Sequence, residues 1–184
     1  MARNILIITG SPRRNGNSDL LAKAFAEGAK EAGHKVKFFS ASKDAVLPCQ
    51  ACDKCWKKGN ACVFDDGFRK LEKLLPEADT LVFATPLYWF AFSAQLKAAI
   101  DKLYAFVNEK CPTPLKVRET FLIVSAETDE KKDFGGVQKT YKSILQYMKW
   151  KNLGELYACE LGPKGSVSQE YLDVAKQAGF DLYQ

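Results

Sequence analysis

Histidine is almost absent from this chain: His34 is the only one among 184 residues. A mechanism built on a pair of proton-transferring histidines is therefore excluded. His34 follows Gly33 where a helical pattern ends, which predicts a C-terminal turn residue. Long apolar runs are missing too. After Arg3 only four apolar residues precede Thr9, so the N-terminus carries neither a signal-peptide core nor a membrane span, and a cytoplasmic protein with no membrane partner is expected. There is no block of like charge: 27 Lys+Arg against 22 Asp+Glu leave +5, scattered along the chain. That distribution suits small anionic ligands and argues against nucleic acid. Internal repeats, low-complexity tracts and long linkers are absent. So are the Gly-x-Gly-x-x-Gly and Gly-x-x-x-x-Gly-Lys-Ser/Thr spacings, which disfavours the common dinucleotide and nucleoside-triphosphate loops.

What is present begins with Ile5-Leu6-Ile7-Ile8-Thr9, a short apolar run of the kind buried on both faces of a parallel sheet. It changes abruptly to Gly10-Ser11-Pro12-Arg13-Arg14-Asn15-Gly16-Asn17-Ser18 and then to apolar residues at helical spacing (Leu20, Leu21, Ala24, Phe25, Gly28, Ala32). A polar loop between a buried strand and a helix N-terminus offers free backbone N–H groups where the helix dipole is positive, a natural phosphate cradle. Ser11, Asn17 and Ser18 supply side-chain donors, and Arg13 or Arg14 a charge-assisted one. The plainer alternative is a capped turn with Ser18 as N-cap.

Six cysteines in a chain expected to be cytoplasmic read as thiols or metal ligands before disulfides. Four of them, Cys49, Cys52, Cys55 and Cys62, are spaced C-x2-C-x2-C-x6-C. The tight triplet has the intervals of an iron–sulfur cube and differs from the paired knuckles of a zinc site. Val63, not proline, follows the fourth cysteine. The alternative is a free-thiol loop packed against Trp56 and Phe64.

Further along, Lys35-Val36-Lys37-Phe38-Phe39 alternates as a strand near a sheet edge does. Asp65-Asp66 caps a helix through Phe68, Leu71, Leu74 and Leu75 that Pro76 helps to end. Thr80-Leu81-Val82-Phe83-Ala84 is a buried strand followed by Thr85-Pro86-Leu87-Tyr88-Trp89-Phe90-Ala91-Phe92, an aromatic-rich segment suited to a flat conjugated ring. Phe90 and Phe92 read equally as core. The next helix, from Ser93, sets Leu96, Ile100, Leu103 and Val107 on one face, with Asp101 and Lys102 as an exposed pair or a subunit contact. A fourth strand, 120–124, exits through Ser125-Ala126-Glu127-Thr128. Gly135 and Gly136 precede another helix, either permitting a close turn or marking flexibility. A fifth strand lies within 153–161, with Cys159 a small buried residue, and a last helix runs from about 169 to 182. Five strands alternating with five helices predict a three-layer, doubly wound α/β domain with right-handed crossovers.

Three features, in this order, resemble the flavodoxin-like NAD(P)H-dependent FMN reductases, in the branch that includes the iron–sulfur flavoproteins. They are residues 10–18, the cysteine loop ending in Asp65-Asp66, and Thr85-Pro86-Leu87-Tyr88-Trp89 followed by Ser93-Ala94-Gln95-Leu96-Lys97 and Ile100-Asp101. The resemblance implies one flavodoxin-like domain over 1–184, parallel strand order 2-1-3-4-5, with 40–64 as a cysteine-rich insertion. It implies FMN as cofactor, its phosphate held by Ser11, Arg13, Asn15, Asn17 and Ser18, and its ring beside Pro86, Leu87, Tyr88, Trp89 and Phe90. Ser125, Glu127 and Gly135 would lie on the other side. Homodimers or homotetramers completing the flavin pocket are implied as well. Lys102 departs from the arginine common after Ile-Asp, removing a bidentate donor.

The leading expectation is an oxidoreductase that takes electrons from NAD(P)H through FMN to a quinone, flavin, metal or protein acceptor, the cofactor performing the chemistry. In a second expectation the four cysteines hold a [4Fe–4S] cluster and a ferredoxin-type donor replaces NAD(P)H. A third is a non-enzymatic flavin-binding redox sensor.

Overall fold

The apolar runs become the strands of one parallel sheet because both of its faces are covered. The computed structural model describes residues 2–183. Strands β1 (Asn4–Thr9), β2 (Lys35–Ser40), β3 (Thr80–Pro86), β4 (Glu119–Ser125) and β5 (Lys151–Ala158) pair in the order β2-β1-β3-β4-β5. Side chains alternate across the pleat. Ile5 and Ile7 therefore join the core under helices α1 (Asn17–Glu31) and α6 (Gln169–Phe180). Leu6 and Ile8 join the opposite core, with α2 (Phe68–Leu74), α3 (Ala94–Lys102), α4 (Tyr104–Val107) and α5 (Gly135–Met148). The half-polar β2 is an edge strand, as its alternation predicts. No helix among the described residues is long and apolar enough to cross a membrane.

The strand order reverses direction between β1 and β3, so the loops leaving their C-terminal ends diverge and leave a crevice. Residues 10–16 and 87–93 are those loops. Gly10 N–H donates to the Ala84 carbonyl at 2.8 Å, and Ser93 Oγ donates to the Gly10 carbonyl at 2.7 Å, fastening the two together.

Helices α1 and α6 cross at glycines. A Cβ on Gly28 would stand 1.9 Å from the Lys176 carbonyl oxygen, and one on Gly179 would stand 2.0 Å from that of Phe25. Gly179→Ala should therefore reverse the usual helix-propensity gain and cost about 1–3 kcal/mol through overpacking. An unchanged or higher urea midpoint would show that the helices can part without loss.

Several elements differ from the sequence expectations. Helix α1 starts at Asn17 with Gly16 as N-cap, so Ser18 lies inside the first turn and caps nothing. The helix expected to run on to Val107 breaks after Lys102. The chain turns there so that the Ala105 carbonyl accepts Trp56 Nε1–H at 2.7 Å and Phe106 packs edge-on against Trp56, while Val107 is exposed. This break yields six α-helices among the described residues where five helices were expected. Strand β5 begins two residues earlier than expected, at Lys151, and ends at Ala158, leaving the half-buried Cys159 beyond it. Asp101 and Lys102 do not pair: Asp101 bonds Lys97 at 2.7 Å, and Lys102 turns inward to Asp66. His34 sits in the expected turn, its N–H bonded to the Ala29 carbonyl at 3.0 Å. Residues 41–67 contain no helix or strand.

Candidate functional site

The crevice at the β1/β3 reversal is a hollow of about 180 Å³ whose wall includes Ser11, Arg13, Gly16, Asn17 and Ser18 on one side. Pro86, Leu87 and Tyr88 lie on a second side and Ser125, Ala126 and Glu127 on a third. Gly16 is needed here because a Cβ would stand 2.5 Å from Ser11 Oγ. No side chain caps α1, so its first-turn N–H groups lack a capping acceptor, and Asp19 is the one acidic residue in that turn.

The three uncharged polar side chains on the first side of this wall do different things. Ser11 Oγ accepts Arg13 N–H at 3.1 Å and donates to the Arg13 carbonyl at 3.0 Å, so it shapes the loop. Asn17 is fully engaged: its Nδ2 donates to the Leu161 and Pro163 carbonyls at 3.0 and 2.9 Å, and its Oδ1 accepts Gly165 and Ser166 N–H at 2.8 and 3.0 Å. It anchors the loop after β5 to the start of α1. Ser18 is 1% exposed, and its Oγ has no hydrogen-bond partner among the described residues. A buried orphan hydroxyl costs free energy unless a ligand fills its valence.

Other residues expected at this site lie elsewhere. Asn15, in the left-handed region, accepts Lys23 Nζ at 2.7 Å and lines a neighbouring depression with Arg14 and Asp19. Trp89 and Phe90 occupy the two central positions of a tight turn closed by Tyr88 and Ala91, with φ of 48° and 62°. That backbone throws their side chains outward: Trp89 is 93% exposed, and the Phe90 carbonyl rests so close to Gly136 that a Cβ there would meet it at 2.5 Å. Phe92, by contrast, is core. Gly135 opens α5 and lines a separate depression with Glu155 and Tyr157.

A second hollow is built by the segment between β2 and α2. Cys49, Cys52, Cys55 and Cys62 all line it, together with Ala61, Phe64, Lys102 and Ala105. Ala51, Asp53 and Trp56 have φ of 47°, 52° and 62°, a left-handed backbone that non-glycine residues adopt only under constraint. These reversals sit among the cysteines and bend the segment round the hollow. Burial, then Cys49, Cys62 and Cys52 as neighbours, pushes the Cys55 thiol above its ordinary pKa. Among the described residues no three His, Cys, Asp or Glu converge closely enough for a single metal ion. Four thiols lining one hollow are a donor set suited to iron–sulfur or zinc.

A sequence model described as NADPH-dependent FMN reductase matches residues 3–158. The chain belongs to that family. Among its relatives, the iron–sulfur flavoprotein of Methanosarcina thermophila is 30% identical over 77% of this chain and 70% of its own length. An iron–sulfur flavoprotein of Archaeoglobus fulgidus is 39% identical over 56% of this chain and 52% of its own length, so the chain spans only about half of that relative. The fold is shared by the NAD(P)H:quinone oxidoreductase of Methanothermobacter marburgensis, with TM-score 0.79, 20% identity, and 100% of this chain and 98% of that one covered. As a member of the FMN reductase family the chain is an oxidoreductase enzyme. Lys102, missed by sequence reasoning at the cysteine hollow, had no local signal, because its partner Asp66 lies 36 positions upstream.

Proposed function

We propose that this reductase binds FMN in the hollow at the β1/β3 reversal and a [4Fe–4S] cluster in the four-cysteine hollow, carrying electrons from NAD(P)H or a ferredoxin-type donor to a small-molecule or protein acceptor. The observation that carries the flavin assignment is the orphan hydroxyl of Ser18 at an uncapped helix N-terminus inside the hollow. The cluster assignment is supported by the common hollow of the four thiols and by the relatives' names.

The bound flavin supplies both two-electron and one-electron chemistry, which lets a hydride donor serve single-electron acceptors. The chain's residues bind and orient it. Ser18 Oγ, the first-turn N–H groups of α1 and the Arg13 guanidinium would hold the phosphate. Ser11 keeps the loop in shape, and Asn17 fixes the 161–166 segment against it. Pro86, Leu87 and Tyr88 would flank the ring, with Ser125 and Glu127 opposite. Cys49, Cys52, Cys55 and Cys62 would bind the cluster as thiolates, in a wall that includes the apolar Ala61, Phe64 and Ala105. Exposed Trp89 and Phe90 support a homodimer or homotetramer in which a second copy covers the mouth.

An anaerobic visible spectrum, with iron, acid-labile sulfide and FMN assayed on the same sample, tests this. One FMN and about four iron per chain are expected. Flavin without iron or sulfide would overturn the cluster and leave an FMN reductase with a thiol loop; absence of flavin binding by the folded protein would overturn the whole reading. Stopped-flow reduction by NADH, NADPH and reduced ferredoxin then separates the donors.

A further inference from the structure

Lys102 is a buried cation at the edge of the cysteine hollow, and its surroundings leave it incompletely satisfied. Its side chain is 3% exposed and lines the hollow with the four cysteines. Its ammonium pairs with Asp66 and lies 5.5 Å from the Phe68 ring centroid. An ammonium has three N–H donors. Among the described residues Asp66 is its only hydrogen-bond partner. Asp66 is itself supplied by other donors, accepting Leu47 N–H and Phe68 N–H at 2.9 Å each.

A buried ion pair seldom gives more stability than well-packed apolar side chains of the same volume would. Stability alone thus explains this pair poorly. The asymmetry of the arrangement is informative: Lys102 is on the wall of the hollow, and Asp66 is not among the residues lining it. Lys102 thus shares the hollow with the thiols, and its ammonium has N–H donors beyond the one given to Asp66.

We propose that Lys102 tunes the reduction potential of the cluster held by Cys49, Cys52, Cys55 and Cys62. This rests on the cluster assignment made above. Each electron added to a thiolate-ligated cluster increases its negative charge by one, and a nearby cation in a poorly solvated setting favours that more negative state. Lys102 therefore raises the potential. Asp66 offsets part of the effect while holding the ammonium in place. The two residues should consequently act in opposite directions, which a purely structural role would not produce.

The test is an anaerobic redox titration of the holoprotein followed by electron paramagnetic resonance, on wild type, Lys102→Met, Lys102→Arg and Asp66→Asn, with iron content measured in each. Lys102→Met should lower the potential by at least a tenfold change in the reduction equilibrium, about 59 mV for one electron. Lys102→Arg keeps the charge and should stay close to wild type, and Asp66→Asn should raise the potential. An unchanged potential in iron-replete Lys102→Met overturns the proposal, as do shifts of the same sign in Lys102→Met and Asp66→Asn. Should Lys102→Met lose its iron or fail to fold, Asp66→Asn decides: a raised potential supports the proposal and an unchanged or lowered one refutes it. A wild-type protein without iron and sulfide refutes the cluster assignment itself, and is recognised before any variant is made.

Discussion

Asp66→Ala is expected to cost the protein about 3–5 kcal/mol, as breaking a buried ion pair by removing one partner does. Three donors converge on this carboxylate: Leu47 N–H, Phe68 N–H and the Lys102 ammonium. The first lies just before the cysteine segment and the second just after it, so Asp66 ties both ends of that segment together and to α3. Its removal leaves an ammonium uncompensated at 3% exposure. Against a total stability of about 5–15 kcal/mol, such a loss is a large fraction. The urea midpoint should fall accordingly with little change in slope. Asp65→Ala is the internal control. The Asp65 side chain is 92% exposed and reaches Arg69 only at 3.5 Å, so its removal should change stability by less than about 0.5 kcal/mol. Equal effects at the two positions would refute the structural account. Replacing Asp66 and Lys102 together by Leu and Met should recover the part of the loss that comes from the stranded charge, while the Leu47 and Phe68 N–H groups stay without their acceptor.

Adjacent aspartates with such different roles also show where the sequence is readable and where it is not. As residues, Asp65-Asp66 read simply as a helix cap. Their difference arises from Lys102, which the chain brings back after a strand and a helix. Lys102 itself, on the pattern of its helix, belongs in solvent beside Asp101. The same limit applies to Asn17. Its type and place predict a phosphate donor, yet all of its hydrogen-bonding capacity is taken by residues 161–166, more than 140 positions away. Patterns governed by neighbours in sequence were legible. The continuous apolar runs of β1, β3 and β4 declare burial on both faces, and the alternating β2 declares an edge. The loops at the strand ends were located for the same reason. The outward turn at Trp89 and Phe90 was not, because a left-handed backbone in two bulky aromatics runs against their local preference.

Ser18→Ala should move stability and flavin affinity in opposite directions. In the flavin-free protein the Ser18 hydroxyl is buried without a partner, a penalty of about 1–3 kcal/mol that alanine removes at little cost in shape. The flavin-free variant should therefore melt at or above the wild-type temperature. With FMN present, wild type gains a hydrogen bond from that hydroxyl to a charged phosphate, worth about 1.5–3 kcal/mol, which the variant cannot form. FMN should bind roughly 10- to 150-fold more weakly, as read by titration of flavin fluorescence. Riboflavin, which has the same ring but no phosphate, supplies the discriminating comparison. Its affinity should hardly differ between the two proteins if Ser18 addresses the phosphate alone. An equal loss for FMN and riboflavin would place Ser18 against the ring or make it a mere packing residue. A lower melting temperature in the flavin-free variant would mean that its hydroxyl is satisfied within the protein, and the assignment of this hollow to a phosphate would lose its main support.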